Sequence, residues 1–178
     1  MSKFIVSEFP SVKVTTPSGN RDITEILADI KNGKFKNLVE PIFKETDKKK
    51  REDLKYKLPL FTPTGQFITR SINGMAEYNG FICLDIDHVE NVEDLKKRAT
   101  KLNYVFAAFI TPSGNGLKVL IPTTATKETY KETELKVSAA FAIDAGGIRD
   151  KHCHDIARIQ YVSYDPELYL NENAKVIF

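Results

Sequence analysis

Cysteine is scarce in this chain: Cys83 and Cys153 are the only two in 178 residues. Two thiols do not make the disulfide framework that holds small secreted domains together, so a reducing compartment is expected. Cys83 lies in an apolar run and reads as core. Long apolar runs are missing as well. No stretch approaches the ~20 residues that span a bilayer. The opening Met1-Ser2-Lys3-Phe4-Ile5-Val6 lacks the apolar region of a secretion signal. The expected location is therefore cytoplasmic, with no membrane partner. An excess of charge of one sign is missing too, because Lys+Arg 26 against Asp+Glu 24 leaves a net +2. Any positive surface must come from clustering rather than from the total. No Gly-x-x-x-x-Gly-Lys-Ser/Thr occurs, which argues against an ATPase motor. Internal repeats, low-complexity tracts and linkers are absent.

What is present suits a globular α/β chain. Hydrophobic residues make up 42% and charged residues 28%, enough to bury a core. The length fits one compact domain. Within it, residues 1–56 are expected to be an N-terminal segment packed on the domain or part of it, and residues 57–178 its main body. The chain is also read as a candidate piece of a longer protein. Residues 4–6 and 12–16 read as short strands, with a turn at Pro17-Ser18-Gly19-Asn20. Apolar residues at 23, 26, 27 and 30 have helical spacing, and Gly33 stops that helix. Residues 44–57 form a charge-dense solvated helix or, through Lys48, Lys49, Lys50 and Arg51, a phosphate-contacting face. Residues 61–69 suggest a hairpin around Pro63-Thr64-Gly65. Residues 81–87 read as a central strand. Asn91 is placed to cap the next helix, with Asp94 in its first turn. Residues 104–121 read as strand, Gly-rich turn, strand, and residues 127–143 as a helix ended by Gly146-Gly147.

Three clusters could carry chemistry. In Leu84-Asp85-Ile86-Asp87, strand alternation puts Asp85 and Asp87 on one face. Two unpaired carboxylates that close repel, which raises one pKa. Hard cations such as Mg²⁺ or Mn²⁺ relieve this by oxygen ligation. Two such ions ~3.5–4 Å apart can bridge a triphosphate and activate a hydroxyl. The plainer alternative is that Asp87-His88 opens a loop and Asp85 is capping or hydrogen-bonded. The second cluster is Ser113-Gly114-Asn115-Gly116-Leu117-Lys118. Its glycines let backbone N–H groups approach an anion, and Lys118 can meet a phosphate as a point charge. An ordinary hairpin turn is the alternative, since Asn-Gly is a favoured turn pair.

The third cluster runs from Asp150 to Arg158. Asp150 offers a carboxylate to complete a metal site, and Arg158 a phosphate contact. A helical Asp155–Arg158 pair is the structural alternative. His152-Cys153-His154 adds two readings. Zinc would need a second pair of ligands, and only distant Cys83 is at hand. A His-x-His nuclease site of the rolling-circle kind would use Tyr161 or Tyr164 as nucleophile. Its histidines belong in an apolar strand, whereas Asp150, Lys151 and Asp155 flank them here.

The order of these clusters resembles the archaeo-eukaryotic primase, or primase-polymerase, superfamily. More narrowly, it is similar to the N-terminal domain of virulence-associated-E-like mobile-element proteins. Lys57-Leu58-Pro59, Gly65-Gln66-Phe67, Arg70 and Ser163-Tyr164-Asp165-Pro166 share the likeness, which runs from about residue 57 to 171. The resemblance implies an RRM-like palm, with a mixed or antiparallel sheet flanked by helices. It implies two-metal nucleotidyl transfer in DNA priming or extension, with nucleoside triphosphates and single-stranded or primed DNA as partners, and a helicase or ATPase domain nearby. By position, Asp85, Asp87 and Asp150 are the implied metal-binding catalytic residues, with Mg²⁺ or Mn²⁺ as cofactor. Ser113, Gly114, Asn115, Gly116, Lys118 and Arg158 are the implied nucleotide contacts. Many members have histidine where Lys118 stands. Lysine supplies charge but neither accepts a hydrogen bond nor shuttles a proton near neutral pH. A non-catalytic nucleotide- or single-stranded-DNA-binding module is therefore carried alongside the enzyme.

Overall fold

The computed structural model describes residues 4–146 and 155–178. Asp150, His152, Cys153 and His154 lie outside the described residues. The chain opens with β1 (Ile5–Phe9) and β2 (Gly19–Asp22), which pair antiparallel. Residues 12–16, expected as a strand, are not one. The turn expected at residues 17–20 instead leads into β2, because Asn20 and Gly19 are drawn into register with Ser7 and Glu8. Asp22 then caps α1 (Ile23–Lys31) by accepting from the Thr24 N–H at 2.9 Å. Ile23, Ile26, Leu27 and Ile30 are the buried face of α1, at the spacing that a 3.6-residue period requires. Each such side chain contributes ~1.5–3 kcal/mol by leaving water. Gly33, at φ +84°, turns the chain out of the helix.

Two further helices follow, α2 (Lys36–Lys44) and α3 (Lys48–Lys55). The first was not legible from periodicity. The second holds the Lys48-to-Arg51 run, of which the three lysines are exposed. Next come β3 (Leu60–Thr62), β4 (Gly65–Phe67), β5 (Met75–Tyr78) and β6 (Phe81–Ile86). The hairpin expected over residues 61–69 does not form. β3 pairs with β1, whereas β4 pairs with β5. Asn91 caps α4 (Val92–Ala99) by accepting from the Asp94 N–H at 3.0 Å, as its position suggested. The strand–turn–strand reading is met by β7 (Ala107–Ile110) and β8 (Leu117–Pro122), paired antiparallel. Then follow α5 (Tyr130–Ala145), ended by Gly146 in a left-handed conformation, β9 (Gln160–Tyr161) and β10 (Tyr169–Leu170).

The fold is α+β. One four-stranded sheet has the order β2-β1-β3-β9, a second has the order β10-β7-β8-β6, and β4-β5 form a small third. All these strand pairs are antiparallel. The second sheet is the middle layer of the molecule. Phe81, Cys83, Phe109 and Leu120 face a core shared with α1, Phe61 and Val162. Ile82, Leu84, Ile86, Val119 and Ile121 face another, shared with Leu95 of α4 and Val137 and Phe141 of α5. Burial on both faces explains why β6 and β8 read as near-continuous apolar runs. It also corrects one expectation: β6 is an edge strand, bonded among the described residues to β8 alone. Its apolar run reflects cover from both layers rather than a central place. No helix among the described residues is long and apolar enough to cross a membrane.

Candidate functional site

The two-layer cover of the second sheet is broken at one end by charge. Alternation puts Asp85 on the same face as Phe81 and Cys83, toward the first sheet. Lys118 stands directly opposite it on β8. Asp85 is 9% exposed and Lys118 6%, so neither charge could be tolerated there alone. The Lys118 ammonium contacts Asp85 Oδ2, and Arg158 Nη2 donates to the same oxygen at 2.6 Å. Asp85 Oδ1 is buried and has no hydrogen-bond partner among the described residues. Burial pushes the Asp85 carboxyl up, but Lys118 and Arg158 together outweigh it and hold the group below the ordinary aspartate value. This reverses the expectation for two unpaired carboxylates, because Asp85 is paired twice.

These groups line one pocket of about 200 Å³, together with Lys55, Asp87, Thr111, Pro112, Ile159 and Tyr161. Asp87 is exposed, one residue beyond the end of β6. His88, at φ +57°, turns the chain away behind it, so Asp87-His88 does open a loop while Asp87 still faces the cavity. Asp85, Asp87, Lys118 and Arg158 thus meet from three separate stretches of sequence. Arg158 does so at the expense of the helical pair with Asp155. Its guanidinium reaches Asp85, while the Asp155 carboxylate accepts from the Ala157 N–H at 2.8 Å.

The glycine-rich segment has a different place. Residues 113–116 do not line the pocket; Thr111 and Pro112 just before them do. The Gly114 N–H donates to Thr111 O at 2.9 Å, Thr111 N–H to Gly116 O at 2.8 Å, and Val89 N–H to Asn115 O at 2.9 Å. The turn is closed on itself and tied to the loop after β6. Gly116 permits a close approach: a Cβ there would come within 3.0 Å of Asp87 Oδ1 and of Ile86 O. Its structural contribution is to let Asp87 sit against the turn.

Lys55, Thr111, Pro112 and Ile159 were not expected at the site, and Tyr161 was expected only as a nuclease nucleophile. Lys55 ends α3 and stands 5.8 Å from the Tyr161 ring centroid. Burial lowers its pKa first, and nearby Lys118 adds to this, against the pull of Asp87 and Asp85. Burial, then Tyr56, raises the Tyr161 phenol. Tyr164, half-buried, packs against the core beside Gly33 instead. The wall at Thr111 is anchored from the tail. The Ser163 hydroxyl donates to Ile110 O at 2.7 Å, and Asp165 Oδ2 accepts from Ile110 N–H at 2.9 Å. Asp165 is itself held by Lys96 Nζ, 3.0 Å from each oxygen, deep in the protein. Lys55 shares a helix face with Arg51 at i,i+4, a signal too weak to single it out. The tail contacts left no local signal.

Among the described residues, no group of three or more His, Cys, Asp or Glu is placed to hold a metal ion by itself. Asp85 and Asp87 are the acidic groups that line the pocket among the described residues. Neither a curated protein nor a solved structure matches the chain at a significant level. Residues 53–170 match the family described as BT4734-like, N-terminal domain. That span is well over half the chain, and it contains every residue lining the pocket. The chain belongs to the BT4734-like N-terminal domain family.

Proposed function

We propose that this domain carries out metal-dependent nucleotidyl transfer of the primase-polymerase kind, in replication of a mobile element or phage. The observation that carries the reading is the convergence of Asp85, Asp87, Lys118 and Arg158 on one pocket. The cavity, at about 200 Å³, is below the ~300–1,000 Å³ of sites that enclose a whole small molecule. It suits a phosphate chain, with base and sugar outside. Among the described residues its formal charge, three cations against two carboxylates, is low for a triphosphate carrying several negative charges, which leaves room for a divalent cation.

The residues fit such an ion. Mg²⁺ is commonly held by one or two carboxylates with substrate phosphates and water completing the shell. Asp85 Oδ1 is unpartnered among the described residues, and Asp87 lines the same cavity. Asp150 is the third ligand the resemblance implies. When bound, the ion supplies charge neutralisation at the α-phosphate and a more acidic attacking hydroxyl. Lys118 and Arg158 would hold the phosphates, Arg158 through its planar fork and Lys118 as a point charge. Thr111 Oγ1, buried and without a hydrogen-bond partner among the described residues, would take a phosphate or sugar oxygen. With β9 set aside in the first sheet, the elements of the second sheet and its helices run β6-α4-β7-β8-α5-β10, a β-α-β-β-α-β succession. This supports an RRM-like palm, with β10 added beside β7. The cytoplasm is the compartment proposed for it, in line with a buried free Cys83.

Primer extension with Mn²⁺ or Mg²⁺ and either deoxy- or ribonucleotides tests the reading. Asp85→Ala and Asp87→Ala should each reduce incorporation by at least about 100-fold, the scale of losing one preorganised electrostatic partner. Full incorporation by folded variants would overturn it. A second reading is favoured by Lys118 and by the double pairing of Asp85. There the domain binds nucleotide or single-stranded DNA for a helicase or ATPase partner without chemistry. It gives binding by titration and no extension at any metal concentration.

A further inference from the structure

Asp85 is committed before any ligand arrives. One of its oxygens meets both Lys118 and Arg158, and the other has no partner among the described residues. A divalent cation approaching the unpartnered oxygen would stand beside two positive heads, on a carboxylate whose charge they already compensate. A phosphate chain reverses that balance, because it offers the same two cations a richer acceptor. Lys118 can make the exchange without any backbone movement. Its flexible four-carbon stem springs from a register position opposite Asp85, and its three donors need not all leave together.

We infer that metal and phosphate binding are coupled at this pocket. Lys118 and Arg158 latch Asp85 until a phosphate chain draws them off, and only then is the carboxylate released for a divalent cation. This inference rests on the nucleotidyl-transfer reading and deepens it. The latch keeps the metal-binding carboxylate masked when no nucleotide is present, so metal alone binds weakly and the nucleotide raises its affinity. By reciprocity, metal raises nucleotide affinity by the same factor. Asp87 lies outside the latch and gives the ion its first, weak hold.

Mn²⁺ titration followed by electron paramagnetic resonance tests the latch, without nucleotide, on the wild type, Lys118→Gln and Lys118→Gln/Asp85→Asn. Lys118→Gln should bind Mn²⁺ about tenfold more tightly than the wild type, within the usual range of coupling between sites. Asp85→Asn in the same chain should abolish that gain. Thermal melts establish that each variant is folded. Should Lys118→Gln fail to fold, the wild type decides. Water-proton relaxation with Mn²⁺ and a non-hydrolysable deoxynucleoside triphosphate analogue should then report a ternary complex far tighter than Mn²⁺ alone. A folded Lys118→Gln with wild-type Mn²⁺ affinity, or a gain that survives Asp85→Asn, would overturn the latch. So would a wild type that holds Mn²⁺ as firmly without the analogue as with it. If no ternary complex forms at saturating Mn²⁺, the nucleotidyl-transfer reading fails and the latch with it. A ternary complex alongside an unchanged Lys118→Gln sinks the latch alone.

Discussion

Arg21 and Asp29 show at the smallest scale how this fold uses charge away from the pocket. Arg21 Nη2 meets Asp29 Oδ2 at 2.7 Å, and Lys34 Nζ meets the same oxygen at 2.6 Å. Burial pushes the Asp29 carboxyl up, but Lys34 and Arg21 outweigh it and hold it below the ordinary value of 3.8. A group depressed in the folded state gives stability above its unfolded value and loses it as pH falls through the folded one. Asp29→Asn should therefore melt lower than the wild type near neutrality, and the gap should close in acid. A melting-temperature gap that stays constant with pH would show that Asp29 acts by packing alone. At this same scale the sequence says least about the pocket. The Asp-x-Asp pair and Lys118 are visible as types, but their direct opposition is a product of strand register. Lys55 is one more lysine in a charge-dense helix until α3 is seen to end at the cavity.

Single elements were legible wherever their cause is local. The α1 face, the Asp94 N–H held by Asn91 and the β7–β8 hairpin all follow from spacing, capping and turn chemistry within a few residues. The Asp22 cap of α1 has an equally local cause, although the spacing of apolar residues did not point to it. Asp22→Ala should cost about 1 kcal/mol, read as a shift in the urea midpoint with an unchanged slope. No shift would mean that tertiary packing alone sets the start of α1. Elements whose partners are distant were misread. β2 forms from a segment rich in turn residues because β1 offers it a ladder. β3 and β4 are separated by Pro63 and Thr64 yet enter different sheets. β6 looks central because two layers cover it, although its hydrogen bonds place it at an edge.

Across the whole molecule, the tail from residue 155 closes what the earlier segments open. It brings Arg158 and Tyr161 to the pocket, β9 to the first sheet and β10 to the second. One of its buried ties is Lys96 on Asp165, which reaches from α4 across to the end of β7. Lys96→Met should cost about 3–5 kcal/mol, because it leaves the Asp165 carboxylate buried with its charge uncompensated. The loss is measurable by chemical denaturation. A loss below about 1 kcal/mol would mean that the amides of Ile110 and Glu167 satisfy Asp165 without the lysine.

The opposition of Asp85 and Lys118 has a consequence for how the chain finds its alignment. Strand side chains alternate, so a one-residue slip of β6 would turn Asp85 from the pocket into the apolar layer of Val119, Leu95 and Phe141. Every other residue of β6 is apolar, and a slip would exchange one buried apolar side chain for another. The pair therefore acts as a registration mark, the feature of β6 that makes a wrong alignment expensive. The charge of the pocket and the alignment of the strand rest on the same two residues. A substitution at Asp85 or Lys118 that alters the pocket also loosens the strand's hold on its own alignment.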